Sequence, residues 1–320
     1  MSDKVFHPTR LIEITSATGS YDTKGAVRVV SSHPNEQQTN QPPFEGPYVT
    51  LSHRWGGLRF LKLTRASLPD FQTALLLDHL PLTFQHAIRF ARELGVRWIW
   101  IDALCIVQDD EIDWLKESSR MHEVYANSYC NISATAAGDS GRGLFNARDP
   151  SRDWAQTVTI NVDDLTGEQE LTCTVLDLFF WEKYVEQAPV NKRSWVLQER
   201  LLAPRVLHWC QDQIAFECRH TSRAECRPEG LPHFVMIRGE LVDGARLKHI
   251  DEDAGKELQK IRLSQESSSS NPDKLSKMVN EVKPRWHYYE IWKSVVETYT
   301  RMELTNSKDR MIALSGIARM

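Results

Sequence analysis

Three short segments combine chemically active side chains with apolar runs typical of buried elements. Residues 48–56 read Tyr-Val-Thr-Leu-Ser-His-Arg-Trp-Gly, residues 98–106 read Trp-Ile-Trp-Ile-Asp-Ala-Leu-Cys-Ile, and residues 193–200 read Arg-Ser-Trp-Val-Leu-Gln-Glu-Arg. In open α/β sheets, ligands bind beyond the carboxyl ends of the strands. We therefore expect one polar site to form from the following residues of these segments: Ser52, Arg54, Asp102 and Glu199.

The residue types in these segments suit chemistry on a nucleotide. Glu199 can accept hydrogen bonds from ribose hydroxyls and offset the positive charge that develops at an anomeric carbon. Arg54 carries the planar guanidinium that binds phosphate or diphosphate. Trp55 and Trp195 offer flat faces for a base or a nicotinamide ring. Because Trp195 and Glu199 are four residues apart, they share one face of a helix.

Each of these residues also has a structural interpretation, and the sequence leaves these interpretations open. Arginines on both sides of Glu199 allow a surface salt bridge instead of a catalytic role. Arg54 can pair with Asp102 inside the fold. Ser52 can be a small residue at a strand end, and Asp102 can cap the turn that follows it.

Metal and thiol chemistry have weaker support. Residues 208–226 contain histidines and cysteines, but they lack the close Cys-x₂-Cys pairs of zinc sites, and we interpret Cys210 and Cys218 as buried strand residues. Cys105 with His53 is a thiol hypothesis without a visible third group to orient the pair. There is no glycine-rich phosphate loop. The sequence therefore predicts no resident metal or cofactor.

The overall composition is that of an ordinary globular chain. The 320 residues carry a net charge of −4 and are 41% hydrophobic, which does not favour nucleic acid as a partner. The six cysteines are irregularly spaced, the first residues form no apolar leader, and no apolar run approaches the ~20 residues of a membrane span. We therefore expect a cytoplasmic protein without a membrane span.

The apolar periodicity predicts a βαβ unit around the first two segments. Residues 1–47 contain two alternating runs that predict a hairpin, followed by a loop. Tyr48–Ser52 is the next strand, and a helix capped by Thr83 ends at Gly95. Val96–Ile101 is a continuous apolar run, typical of a strand covered on both faces. Strand, helix and buried strand in this order predict a sheet that is at least partly parallel.

The same reasoning assigns the elements that follow. A helix capped by Asp109 or Asp110 leads to a third parallel strand near residues 129–134. Residues 138–190 are interpreted as a β-rich insertion with strands at 157–162 and 171–176. Ser194 is expected to cap a short helix, and an antiparallel hairpin follows: Val206–Trp209 and Ile214–Cys218.

Residues 221–320 are interpreted as a C-terminal helical extension. Its charged, serine-rich stretch near 251–283 predicts a mobile linker. Trp286–Met302 predicts one helix, and a second starts at Asp309. The chain ends within apolar helical sequence without polar capping residues, which predicts that it is cut from a longer protein.

Together the three segments resemble the fungal heterokaryon incompatibility (HET) domain, over roughly residues 48–220. The middle part of the resemblance, Leu80–Ala137, is long and contains Trp98-Ile-Trp-Ile-Asp-Ala-Leu-Cys-Ile-Val-Gln-Asp109, with Trp114, Met121 and Tyr125 further on. His53-Arg54 departs from the family pattern, which more often has an aromatic residue and then a variable one. This resemblance implies a role in fungal non-self recognition that ends in growth arrest or cell death.

The HET domain also looks like a distant relative of the TIR domain, which implies a flavodoxin-like, mostly parallel sheet flanked by helices. The resemblance to NAD-cleaving TIR domains makes Glu199 the catalytic carboxylate and Trp195 its support. Ser52, Arg54, Trp55 and Asp102 then line the substrate crevice, and NAD is a substrate rather than a cofactor. The alternative implied by the same resemblance is a non-enzymatic death-signalling adaptor that works by self-association, with an upstream sensor as a further partner.

Overall fold

The computed structural model describes residues 6–14, 26–32, 44–149, 156–164, 167–175, 177–231, 234–237, 240–243, 248, 289 and 291–319. The predicted linker near 251–283 lies outside the described residues, as do the first residues of the predicted Trp286–Met302 helix. In chain order the strands are β1 Arg10–Glu13, β2 Ala26–Ser31, β3 Tyr48–Ser52, β4 Leu75–Leu76, β5 Trp98–Trp100, β6 Cys130–Ser133, β7 Gln156–Asp164, β8 Gly167–Val175, β9 Arg205–Trp209, β10 Ile214–Cys218, β11 Ser222–Ala224, β12 Phe234–Ile237 and β13 Glu240–Asp243.

Helices cover the sheet. In chain order they are α1 Leu68–Thr73, α2 Leu82–Glu93, α3 Asp102–Cys105, α4 Glu111–Ala126, α5 Ser194–Leu202, α6 at residues 291–300 and α7 Arg310–Ser315. Short helical turns occur at Leu77–His79, Glu182–Glu186, Val190–Lys192, Ser307–Asp309 and Ile317–Arg319.

The main sheet has nine strands in the order β11-β10-β9-β6-β3-β5-β1-β2-β4. Its centre is parallel, because β3 pairs in parallel with β5 and β6, and β6 pairs in parallel with β9. The other pairings in this sheet are antiparallel. The α/β class is confirmed, but the prediction of a mostly parallel sheet holds only for the four central strands.

Two predicted hairpins are confirmed, and both belong to the main sheet. The N-terminal pair β1–β2 extends it, because β1 also pairs with β5. The pair β9–β10 extends the opposite side, with β9 as the fourth parallel strand. β9 therefore belongs to the parallel centre of the sheet, and only β10 departs from a plain parallel arrangement.

The predicted insertion also forms its two strands. β7 and β8 pair antiparallel over residues 156–164 and 167–175 and make a separate two-stranded sheet. β12 and β13 form another such sheet.

The βαβ unit is built as its sequence indicates. All five residues of β3 and all three of β5 are buried, as continuous apolar runs predict. α2 packs beside β5. Its apolar stripe is buried: Phe84, Ala87, Ile88 and Ala91. Gly95 follows with a φ of 69°, the left-handed conformation that commonly ends a helix.

Of the predicted helix caps, one is confirmed and two are wrong. The Asp110 side chain accepts hydrogen bonds from the amides of Ile112 and Asp113 at the start of α4. Thr83 lies inside α2, and its hydroxyl accepts a hydrogen bond from the Gly143 amide at 3.0 Å. Ser194 makes no cap either, because its hydroxyl donates to the Glu303 carbonyl at 3.1 Å.

A buried ionic network fixes α5 to the β9–β10 hairpin. Arg200 donates two hydrogen bonds to the Glu217 carboxylate, at 2.6 and 3.0 Å, and His208 Nε2 lies 3.1 Å from the same carboxylate. The Lys248 ammonium donates to the Ala203 carbonyl just after α5, at 2.5 Å. Because Glu217 and His208 are fully buried, moving α5 away from the hairpin would leave buried polar groups unpaired, so the network stabilises the position of the helix.

Glu217→Gln should destabilise the fold strongly. The substitution leaves the buried Arg200 guanidinium with only the partly exposed Glu186 as a counter-charge, and breaking such a buried pair costs up to about 3–5 kcal/mol. The measurement is the free energy of unfolding in urea.

The matched control is Glu123→Gln, which removes an exposed partner of Arg120 in α4 and should cost at most about 1 kcal/mol. Equal losses in the two variants would contradict a structural role for the buried network.

Candidate active site

A cleft of about 690 Å³ opens where β3 and β5 end. Five of the six predicted site residues line it: Arg54, Trp55, Asp102, Trp195 and Glu199. The sixth, Ser52, is fully buried beneath the cleft and bonded to Glu199. The structure therefore brings all six together, while their chemical roles stay predictions.

The carboxyl of Glu199 forms the floor of the cleft. It is only 2% exposed, and its Oε2 accepts a hydrogen bond from the Ser52 hydroxyl at 2.5 Å. Burial raises the pKa of Glu199 to about 7, although the nearby Arg193 guanidinium and the Ser52 hydrogen bond oppose the shift. The group can thus exchange a proton near neutral pH, as general acids and bases do.

Two further side chains position this pair, and sequence reasoning missed both. The Asn131 amide donates to the Ser52 hydroxyl at 2.9 Å, and its oxygen accepts from the Thr50 hydroxyl at 3.1 Å. The nearby Tyr125 hydroxyl also lowers the pKa of Glu199, against the effect of burial. A polar Asn within an otherwise apolar predicted strand was the available signal for Asn131.

Asp102 orients an aromatic wall of the cleft. Its Oδ2 accepts a hydrogen bond from the Trp55 indole at 3.1 Å, and its Oδ1 accepts one from the Ala103 amide at 2.6 Å. The turn-capping interpretation is wrong, because α3 begins at Asp102 itself and has no side-chain cap; the second carboxylate oxygen instead holds Trp55.

His53 contacts the other side of Asp102. Its Nε2 lies 3.5 Å from Asp102 Oδ1, too far for a well-formed hydrogen bond. Burial lowers the pKa of His53 to about 4 despite the nearby carboxylate, so the ring is neutral at physiological pH. The contact is therefore not a salt bridge at physiological pH.

Trp195 forms the opposite aromatic wall. It packs edge-to-face against Trp114, with ring centroids 6.4 Å apart. Trp195 and Glu199 both face the cleft from α5, as their four-residue spacing predicts.

Two structural alternatives raised by the sequence are wrong. Arg54 does not pair with Asp102, because its guanidinium donates to Glu303 at 2.9 Å. Glu199 makes no surface salt bridge with Arg200, since Arg200 points to Glu217 on the other side of α5. Glu199 is instead a buried carboxyl that faces the cleft.

A C-terminal segment that sequence reasoning did not connect with the site forms one side of the cleft. It contributes Glu303, Leu304, Thr305, Asn306 and Asp309. Its backbone joins the start of α5, where the Glu303 carbonyl accepts a hydrogen bond from the Ser194 amide at 2.9 Å. The cleft is therefore built from residues far apart in the sequence.

Thiol and metal chemistry have no support at this site. Cys105 is fully buried, and burial raises its pKa to about 12, so its reactive thiolate is not populated near neutral pH. All six cysteines are free thiols. Within the described residues, no three histidine, cysteine, aspartate or glutamate side chains are grouped as metal ligands.

Across the part of the chain that the structure describes, no helix combines the length and the apolar character needed to cross a membrane.

Comparison with known proteins identifies one family. Residues 48–199 match the family model described as heterokaryon incompatibility protein (HET). The match begins with β3 and ends at Glu199, so it contains all six predicted site residues and excludes Glu303. Neither a curated protein nor a solved structure shows a significant match to the chain.

Glu199→Gln should remove a pH-dependent loss of stability. A carboxyl whose pKa is raised in the folded state holds its proton more tightly there, so the folded protein loses stability as pH rises from the unfolded pKa, near 4.5, through about 7. As pH rises from about 5 to about 8, the free energy of unfolding of the variant minus that of wild type should increase by about 2 kcal/mol. Urea unfolding at both pH values measures it.

Because the titration of His53 is common to both proteins, it cancels in the difference. A difference that is the same at both pH values would contradict the raised pKa.

Proposed function

We propose, from the match of residues 48–199 to the HET family model, that the cleft hydrolyses the nicotinamide–ribose bond of NAD. The HET domain suggests a role in fungal incompatibility and cell death, for which cleavage of a nucleotide is a direct chemical means. The observation that carries the proposal is the buried carboxyl of Glu199 on the floor of a cleft with aromatic walls.

The strand order supports a flavodoxin-like, TIR-like assignment of the fold. Numbered along the chain, the four parallel strands lie in the order 2-1-3-4, which is the order of the first four strands of flavodoxin-like sheets. In such sheets the ligand binds where the strand order reverses, here between β3 and β6. Ser52 is the last residue of β3, and Glu199 contacts it there.

The proposed reaction needs few catalytic groups. The bond between the anomeric carbon and the ring nitrogen breaks, and its electron pair leaves with nicotinamide, which becomes neutral. No general acid is needed for this leaving group. Ionised Glu199 stabilises the positive charge left on the ribose. Water then forms the new carbon–oxygen bond and releases one proton, which the Glu199 carboxylate can accept.

The other predicted residues have roles in binding. Trp55 and Trp195 present aromatic faces to the rings of the dinucleotide, and Asp102 fixes the orientation of Trp55. Arg54 supplies a guanidinium for the diphosphate. Ser52 orients the catalytic carboxyl through its hydrogen bond.

Glu199→Gln should abolish turnover and leave the fold intact. The amide keeps the size of the side chain and cannot carry the negative charge that stabilises the transition state, so we expect a loss of at least about 100-fold. The measurement is chromatography of free nicotinamide after incubation of concentrated protein with NAD, with NADP and ATP as alternative substrates.

Glu123→Gln is the control on the exposed surface of α4, and it should retain full activity. If folded wild-type protein released no nicotinamide even when concentrated or artificially clustered, the hydrolase proposal would be wrong.

Self-association is a second candidate function, and the β7–β8 hairpin favours it. Its strands alternate so that one face is apolar, with Val158 opposite Cys173 and Ile160 opposite Leu171. Ile160 and Leu171 are each 47% exposed. Exposed apolar patches of this kind often mark protein contacts. A second copy of the chain could cover this face, in an adaptor or in an enzyme that acts as an assembly.

Ile160→Lys should weaken such self-association by placing a charge on the apolar face. Thr159→Lys is the matched control, because it adds the same charge to the opposite face of the same strand. Sedimentation equilibrium over a range of protein concentrations measures both variants. A wild-type chain that stays monomeric, or equal effects of the two substitutions, would contradict this function.

A further inference from the structure

As the side chains are arranged in the structure, acidic groups around the cleft outnumber basic ones, which disfavours an anionic substrate. Four carboxyl side chains line it, together with two guanidinium groups: Asp102, Glu199, Glu303, Asp309, Arg54 and Arg193. A phosphate that enters therefore needs a cation that can exchange its present partner. The two arginines differ in how easily they can do so.

Arg193 is held within the protein. Its guanidinium donates to the backbone carbonyl of His53, and its charge lowers the pKa of Glu199. Displacing Arg193 would therefore disturb the proposed catalytic group.

Arg54 has a partner that faces solvent. It donates to Glu303 at 2.9 Å, and the two side chains are 36% and 56% exposed. Ion pairs this exposed contribute little to stability, so the pair can open at small cost. Arg54 is the cation of the cleft that can change partner most easily.

The backbone on both sides of this ion pair is anchored. The Glu303 amide donates to the Lys192 carbonyl at 2.6 Å, and the Arg54 carbonyl accepts a hydrogen bond from the Ser140 hydroxyl at 3.0 Å. Glu303 can therefore release Arg54 by a rotation of its side chain while the wall of the cleft stays in place.

We propose that Glu303 is a gate on an anion site: it occupies the Arg54 guanidinium until a phosphate or diphosphate of the ligand replaces it. A guanidinium binds carboxylate and phosphate oxygens in the same paired geometry, so one can substitute for the other. Glu303 then sets the affinity for anionic ligands, although it lies outside the matched HET segment. The choice of a dinucleotide rests on the proposed function, whereas the exchange is a property of the site.

Calorimetric titration of the full chain with inorganic diphosphate, and separately with ADP-ribose, tests the gate. Glu303→Gln should bind both probes about two- to fivefold more tightly, because the competing carboxylate is gone. Arg54→Gln should bind them about tenfold more weakly. In the Arg54→Gln background, Glu303→Gln should give no gain. ADP-ribose binding more tightly than diphosphate identifies a nucleotide as the source of the phosphate.

Glu297→Gln controls for the loss of one negative charge, because it removes an exposed carboxylate from α6 outside the cleft, and it should leave both affinities unchanged. If Glu303→Gln raised the affinity equally with and without Arg54, the gate would be wrong. It would also be wrong if neither probe bound to wild type or to Glu303→Gln at millimolar concentration. NAD turnover is measured separately. If the probes bind as expected but NAD is not cleaved, the gate is supported and the hydrolase proposal is wrong. If NAD is cleaved but the affinities do not depend on Glu303, only the gate is wrong.

Discussion

The structure of the site depends on one costly arrangement, a carboxyl group buried at the end of a parallel strand. Glu199 loses almost all contact with water and gains the Ser52 hydroxyl at 2.5 Å in return. Burial of an ionised carboxyl is unfavourable, which is why its pKa is raised to about 7. Such perturbed groups in clefts are often functional, because a purely structural position would be served as well by an apolar side chain.

The surrounding fold holds this carboxyl from several sides. On the far side of α5, Arg200 and Glu217 tie the helix to the β9–β10 hairpin. At the start of α5, the Glu303 carbonyl accepts a hydrogen bond from the Ser194 amide, so the C-terminal segment takes the place of a helix cap. Below, Asn131 fixes the Ser52 hydroxyl from β6. Strands, helix and C-terminal segment together set the position of Glu199.

Strands and helices that follow from the local pattern of apolar residues could be predicted from the sequence. Contacts between residues far apart in the chain could not. Continuous apolar runs located β3 and β5, and the polar residues that follow them do meet in one cleft. The parallel centre followed from the strand–helix–strand order, but the antiparallel edges depend on strands that pair late, such as β10. Ser194 has the residue type and position expected of a helix cap, yet its hydroxyl donates a hydrogen bond to a carbonyl 109 residues away. The ion pair between Arg54 and Glu303 was missed for the same reason, because no local sequence pattern connects the two residues.

The most direct test of this account is a carbon-13 titration of the Glu199 carboxyl in the full chain, with Glu199→Gln used to assign the signal. We expect a pKa near 7 for Glu199 in the free protein and a change in its signal when ADP-ribose enters the cleft. A carboxyl whose pKa lies near its ordinary value of 4.5, or whose signal does not respond to ADP-ribose, would contradict a buried catalytic group at the ligand site.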